Sequence, residues 1–253
     1  MDGAPIFVKI LETISISLVA FLYSAVGHGG ASGYIAMLSL FGVRYEEIAS
    51  STLVVNCCVA GLAFLAYARA GNYRHQVVLP YLILSVPCAF LGALIPIDKK
   101  LFTIILCIIL PLIGLRFLFW PELKGRSDAD VRRPPLPLAA AIGGVLGLLS
   151  GLVGIGGGVF LSPIMIMARF ATTKETAAAS ALFILVNSLS GIAGRLFSHK
   201  LILDAGLWPF LGAALVGAVL GSQLGARRFS STFLKRILGI VLILASLKLL
   251  QLG

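Results

Sequence analysis

The sequence predicts an all-α integral membrane protein built from two related halves. Three observations carry that reading. Of 253 residues, 59% are hydrophobic and 12% charged; the charges cluster between long apolar runs; and each half holds one glycine-rich interruption. A soluble domain typically carries about a quarter charged residues, so lipid is the solvent this composition suits. Eight long apolar segments follow, near 8–26, 46–68, 74–96, 98–120, 136–153, 174–197, 205–226 and 230–252. Each approaches the roughly 20 residues that a bilayer-crossing helix needs. Two shorter pieces, 31–43 and 159–170, follow the first and fifth segments. At about 1.5 Å per residue they reach only part of the way across a hydrocarbon core of about 30 Å.

The stretch 121–135 joins charge and proline without apolar period, which marks a polar linker outside the membrane. It divides the chain into a first transmembrane repeat, 1–120, and a second, 136–253. Val26-Gly27-His28-Gly29-Gly30 matches Val153-Gly154-Ile155-Gly156-Gly157, and at nearly the same offset Glu46, Ser51 and Pro80 match Glu175, Ser180 and Pro209. Glycine runs, glutamates and prolines in one register point to internal duplication. If each short piece forms a re-entrant hairpin with the segment before it, the repeats are inverted. The linker's side then collects 12 Lys/Arg against 7, and the positive-inside rule puts the linker in the cytoplasm and both termini outside.

The net charge of +10 does not indicate nucleic acid. Its bases sit at segment ends, where anionic headgroups are their partners, instead of forming a stripe on a soluble face. Cys57, Cys58, Cys88 and Cys107 lie in apolar stretches with no CxxC spacing, as inert buried thiols do. The first residues lack a basic n-region and a small-residue cleavage site, so no removable signal peptide is expected.

Consecutive glycines are costly in a helix and let the backbone turn sharply. At membrane depth such backbone survives only where protein or a water-filled cavity covers it. Gly27, His28, Gly29 and Gly30, and likewise Gly154, Gly156, Gly157 and Gly158, each precede a short helical piece. N–H groups at the start of that piece face the break, where the helix dipole favours an anion. Broken helices at matching places in two halves point to a transporter's substrate site. Close helix packing, the competing role, calls for GxxxG spacing in mid-helix. His28 could donate to an anion, carry a coupling proton, or simply satisfy carbonyls freed at the break. Ser51 and Asn56 on one helix, and Ser180 and Asn187 on its counterpart, could complete an anion cage or serve as interhelical glue. Glu46 and Glu175 open their helices and complement the dipole. Arg195, beside His199 and Lys200, is expected to reach for the interface.

Gly154-Ile155-Gly156-Gly157-Gly158, Ala-Ala-Ser-Ala-Leu at 178–182 and the weaker first-half copies resemble the TauE/SafE family of sulfite exporters, across nearly the whole chain. The resemblance implies a multi-pass carrier of the cell's inner membrane for small sulfur-containing or organic anions: sulfite, sulfoacetate or related sulfonates. The first copy departs from the family pattern in carrying His28 within the run and Ser32 after it. A passive anion channel is the alternative. A membrane enzyme would need paired acids, a metal-spaced histidine cluster or a nucleophile with its base. Only His28, His75 and His199 exist, and no GxxxxGK[ST] occurs. The expected partners are a small anion, the bilayer and a coupling proton or ion; no catalytic residue, metal site or cofactor is expected.

Overall fold

The computed structural model describes residues 6–40, 43, 45–119, 131–203 and 207–227, with isolated positions 236, 240, 243 and 247. Among these, all regular structure is helical: α1 (Ile6–Ser24), α2 (Ala31–Leu40), α3 (Tyr45–Arg69), α4 (His75–Leu94), α5 (Lys99–Phe119), α6 (Leu136–Val153), α7 (Gly158–Met167), α8 (Thr173–Phe197) and α9 (Leu207–Arg227). Seven expected long segments are therefore helices within a few residues of their expected bounds, and both short pieces are ten-residue helices. Five of the long helices are apolar and long enough to cross a membrane: α3, α4, α6, α8 and α9. The eighth segment, 230–252, and linker residues 121–130 lie outside the described residues.

Burial is arranged for lipid. On α5, Leu101, Ile104, Ile108, Leu112 and Leu115 are exposed at helical spacing, while Phe102, Leu106, Ile109, Leu110 and Ile113 turn inward. An apolar outer stripe of this kind is ill suited to water and suits contact with hydrocarbon. Proline interrupts α4 at 80 and 87, α5 at 111 and α7 at 163. Packed neighbours and polar side chains can re-satisfy the backbone groups that proline frees in membrane helices. The Ser190 hydroxyl of α8 donates to Val86 O of α4 at 2.6 Å and ties those two helices together.

Two parallel helix pairs frame the molecule. Gly143, Gly147 and Gly151 on α6 lie against Tyr81, Ser85 and Ala89 of α4, and Gly217, Gly221 and Gly225 on α9 lie against Ser17, Phe21 and Ala25 of α1. In all six cases an added Cβ would strike a backbone carbonyl oxygen. These are glycine stripes at four-residue spacing, which let helix backbones touch. Between the pairs run α3 and α8, antiparallel, with Leu53 against Gly191 and Leu185 against Gly61.

Hydrogen bonds fix which ends lie together. At one end Arg132 N–H donates to Arg169 O at 2.8 Å, and Arg74 pairs with Glu175 at 3.0 Å. At the other, Lys200 Nζ donates to Leu94 O at 2.7 Å, and the Ser50 hydroxyl donates to Lys200 O at 3.4 Å. The chain thus enters α6 beside residue 132 and leaves α7 at Arg169, at the same end. The α6–α7 unit is a hairpin that turns at its glycines. Thr172 and Glu175 then form a capping box that starts α8, with the Thr172 side chain accepting from Glu175 N–H and Glu175 Oε2 accepting from Thr172 N–H. Glu175 stands in the first turn of α8, the position expected of a carboxylate that opens the helix and complements its dipole; the capping box with Thr172 adds to that role. The side chain of Glu46 lies outside the described residues.

Candidate functional site

Each break is built by left-handed glycines. Gly27 and Gly30 have φ of +76° and +93°, and Gly154, Gly156 and Gly157 have +83°, +78° and +70°. L-residues pay about 1–2 kcal/mol for that conformation, which is why glycine recurs at these turns. The entry to each break is crossed by a long helix of the opposite half. Gly27 lies against Ala177, the fifth residue of α8, and Gly154 against Ala49, the fifth residue of α3.

The breaks converge. A Cβ on Gly29 would stand 2.7 Å from Asn56 Oδ1 and 2.9 Å from Ile184 Cγ2. One on Gly156 would stand 3.1 Å from Asn56 Nδ2 and 2.8 Å from the same Ile184 carbon. Two glycines 127 positions apart therefore face the same two side chains. Asn56 and Ile184 each lie one residue from the midpoint of a 25-residue helix. The meeting point is thus midway between the ends of α3 and α8. Gly30 instead faces the Tyr34 ring, Gly157 faces Leu146 O and Phe183, and Gly158 packs on Ile184 and Ser180 O.

Asn56 is fully buried, and neither its Nδ2 nor its Oδ1 has a hydrogen-bond partner among the described residues. The Thr52 hydroxyl, one turn away, is likewise buried and without a partner there. Asn187 is buried too; its Nδ2 donates to Phe183 O at 2.8 Å and its Oδ1 has no partner among the described residues.

His28 ties the halves together. Its Nδ1 lies 3.0 Å from Val26 O, which can only accept, so this nitrogen carries a proton. Its Nε2 lies 2.8 Å from Ser162 Oγ, and Ser162 Oγ lies 2.9 Å from Ser180 Oγ and 3.0 Å from Gly158 O. Ser162 has one hydrogen to give. With neutral His28 that hydrogen goes to Nε2; with cationic His28, Nε2–H donates to Ser162, whose hydrogen is released to Gly158 O or Ser180.

The structure thus gathers Gly29, Gly156, His28, Asn56 and Ser180 into one region and adds Ser162 and Ile184, which the sequence reading did not single out. Ser162 is the lone serine of an otherwise apolar ten-residue helix, a signal the sequence does contain. Ser51 is buried but makes no hydrogen bond to either break among the described residues, so the equivalence with Ser180 does not extend to its contacts. The N–H row at the start of α7 is also partly used: Gly158 N–H donates to Gly156 O, and those of Phe160 and Leu161 to Gly157 O. Arg195 does not extend to the interface. It is buried, and its Nη2 donates to Gly151 O at 3.4 Å and Leu152 O at 3.2 Å, covering carbonyls that α6 leaves open as it ends. No group of three or more His, Cys, Asp or Glu able to hold a metal occurs among the described residues.

Comparison with known proteins places this architecture. Residues 13–249 match the family model described as sulfite exporter TauE/SafE. A probable membrane transporter protein (y4hK) of Sinorhizobium fredii is 31% identical over 238 residues, covering 94% of this chain and 96% of the relative. A probable membrane transporter protein (ORF9) of a Sinorhizobium species is 28% identical, covering 94% and 90%. Another from Xylella fastidiosa is 27% identical, covering 89% and 88%. No solved structure matches. The chain belongs to the TauE/SafE sulfite exporter family and is a multi-pass membrane transporter, not an enzyme.

Proposed function

We propose that this transporter is a secondary carrier of small anions (sulfite, sulfoacetate or related sulfonates) and that the substrate sits where the two glycine breaks meet. The observation that carries the reading is the placement of Gly29 and Gly156 against the same carboxamide, Asn56, which has no partner among the described residues and lies at the middle of α3 and α8. Glycine there lets a ligand approach backbone N–H groups, as anion sites at broken helices require. The Ser162–Ser180–His28 chain supplies hydroxyl and imidazole groups beside it. Gly27, Gly30, Gly154, Gly157 and Gly158 shape the turns, and Asn187 adds an amide oxygen. Ser51 is the least supported member of the set.

The halves, 1–120 and 136–253 about a linker at 121–135, are read as inverted repeats with eight crossings. Crossed equivalents support this: α1 pairs with α9 as α6 pairs with α4, and Gly27 meets α8 as Gly154 meets α3. The α6–α7 hairpin is the form that inversion requires. The linker is assigned to the cytoplasm from the distribution of Lys and Arg, and the protein to the cell's inner membrane from its family.

Purified protein in proteoliposomes tests the function. Labelled sulfite or sulfoacetate should accumulate against its gradient and collapse with an uncoupler. Flux that only follows the anion's own gradient would make the protein a passive channel, and no flux of any tested anion would overturn the reading.

A further inference from the structure

We propose that, within the class of small anions named above, the site prefers a sulfonate that carries a hydrogen-bond donor of its own over acceptor-only anions such as sulfoacetate, and that Asn56 and Asn187 read that donor; the inference rests on the meeting point of the breaks being the substrate site.

A carboxamide presents two N–H donors at one end and an acceptor-only oxygen at the other. At Asn56 both ends are buried and without partners among the described residues. Turning the amide over exchanges the ends but leaves one donor end and one acceptor end to satisfy. At Asn187 there is no such freedom. Its nitrogen is engaged by Phe183 O, so the unpartnered atom is the oxygen. The antiparallel pairing of Leu53 with Gly191 and Gly61 with Leu185 brings residues 56 and 187 to the same level of the α3–α8 pair.

Leaving a buried polar group unpaired costs about 1–3 kcal/mol. An anion made only of acceptor oxygens answers the Asn56 N–H groups but sets its own negative oxygens against two amide oxygens. A ligand with an O–H or N–H as well answers both kinds of group. The Thr52 and Ser188 hydroxyls, buried and unpartnered among the described residues, do not change this requirement, because a hydroxyl can donate or accept. A site that hydrogen-bonds a substrate hydroxyl also rejects the analogue lacking it far more strongly than an apolar pocket rejects an extra group.

The test compares two sulfonates of equal charge and nearly equal shape: 2-hydroxyethanesulfonate, which has a hydroxyl, and 1-propanesulfonate, which has a methyl in its place. Calorimetric binding to the purified full chain should favour the hydroxyl compound by about tenfold or more, the factor equivalent to 1.4 kcal/mol. In Asn56→Leu, which leaves the Asn187 oxygen in place, that preference should shrink severalfold. Equal affinities in the unsubstituted protein would overturn the donor requirement while leaving the anion site standing. A preference unchanged in Asn56→Leu would overturn the role of Asn56. Absence of binding by both compounds, and by sulfite, would overturn the site reading together with the inference.

Discussion

Glycine serves two opposite purposes in this chain, and the atoms around each set tell them apart. In the stripes of α6 and α9, a Cβ on Gly147 or Gly221 would strike the carbonyl oxygen of Ser85 or Phe21. Those carbonyls belong to helix backbone and cannot step aside. In the breaks, a Cβ on Gly29 or Gly156 would meet the ends of two side chains, Asn56 and Ile184. The stripes hold backbones together, whereas the breaks bring a polar side chain up against glycine backbone. Residue type alone does not separate these roles; what lies opposite does.

Substitution in a stripe should produce the largest stability loss. Gly147→Ala and Gly221→Ala should each destabilise by about 3 kcal/mol, the upper end for overpacking a tight core. Thermal unfolding in detergent reads the effect, and any loss of binding should track it. Melting temperatures close to that of the unsubstituted protein would show that these helices can part cheaply.

The breaks should respond differently. Gly29 does not hold a left-handed φ, so Gly29→Ala adds obstruction without backbone strain. It should weaken anion binding by about tenfold or more, or about 1.4 kcal/mol, a larger loss than its drop in melting temperature accounts for, although the Cβ also pushes on Asn56 and Ile184. Gly156→Ala should lose binding similarly and also some stability, because its φ of +78° costs an L-residue about 1–2 kcal/mol. Gly30→Ala and Gly157→Ala, which face Tyr34 and Phe183, should act mainly through stability. If all four variants lost binding only in step with unfolding, the breaks would be packing devices like the stripes.

A smaller effect should separate the two breaks from each other. The first holds His28 where the second holds Ile155. A proton on Nε2 places a positive charge beside the anion and turns the Ser162 hydroxyl away from the ring. Anion affinity should therefore rise as pH falls across a range in which the ring takes up that proton. His28→Gln should flatten that dependence in binding measured across the same range while leaving the protein folded. A profile unchanged by the substitution would leave His28 as a support for Val26 O and Ser162. The smallest effect belongs outside the breaks. Arg74→Ala removes a half-exposed partner of Glu175 and should cost less than about 1 kcal/mol in thermal unfolding.

The sequence by itself determined the solvent and the segmentation of this protein. Apolar runs about 20 residues long have one stable form in hydrocarbon, and consecutive glycines cannot continue it, so α1, α3–α6, α8, α9 and both breaks were legible from local pattern. It also marked Glu175 as a helix opener, because a carboxylate in the first turn complements the helix dipole. Contact between distant segments had no local signature. That Gly29 and Gly156 face one Asn56, that Ser162 bridges His28 and Ser180, and that Arg195 folds onto the end of α6 all depend on how α3 and α8 cross between the outer pairs. The four-residue glycine spacing on α6 and α9 was present in the sequence, but only the carbonyls opposite showed it to be packing. Such contacts have no local signature because a buried polar side chain takes its role from the partners it meets, and those come from segments distant in sequence.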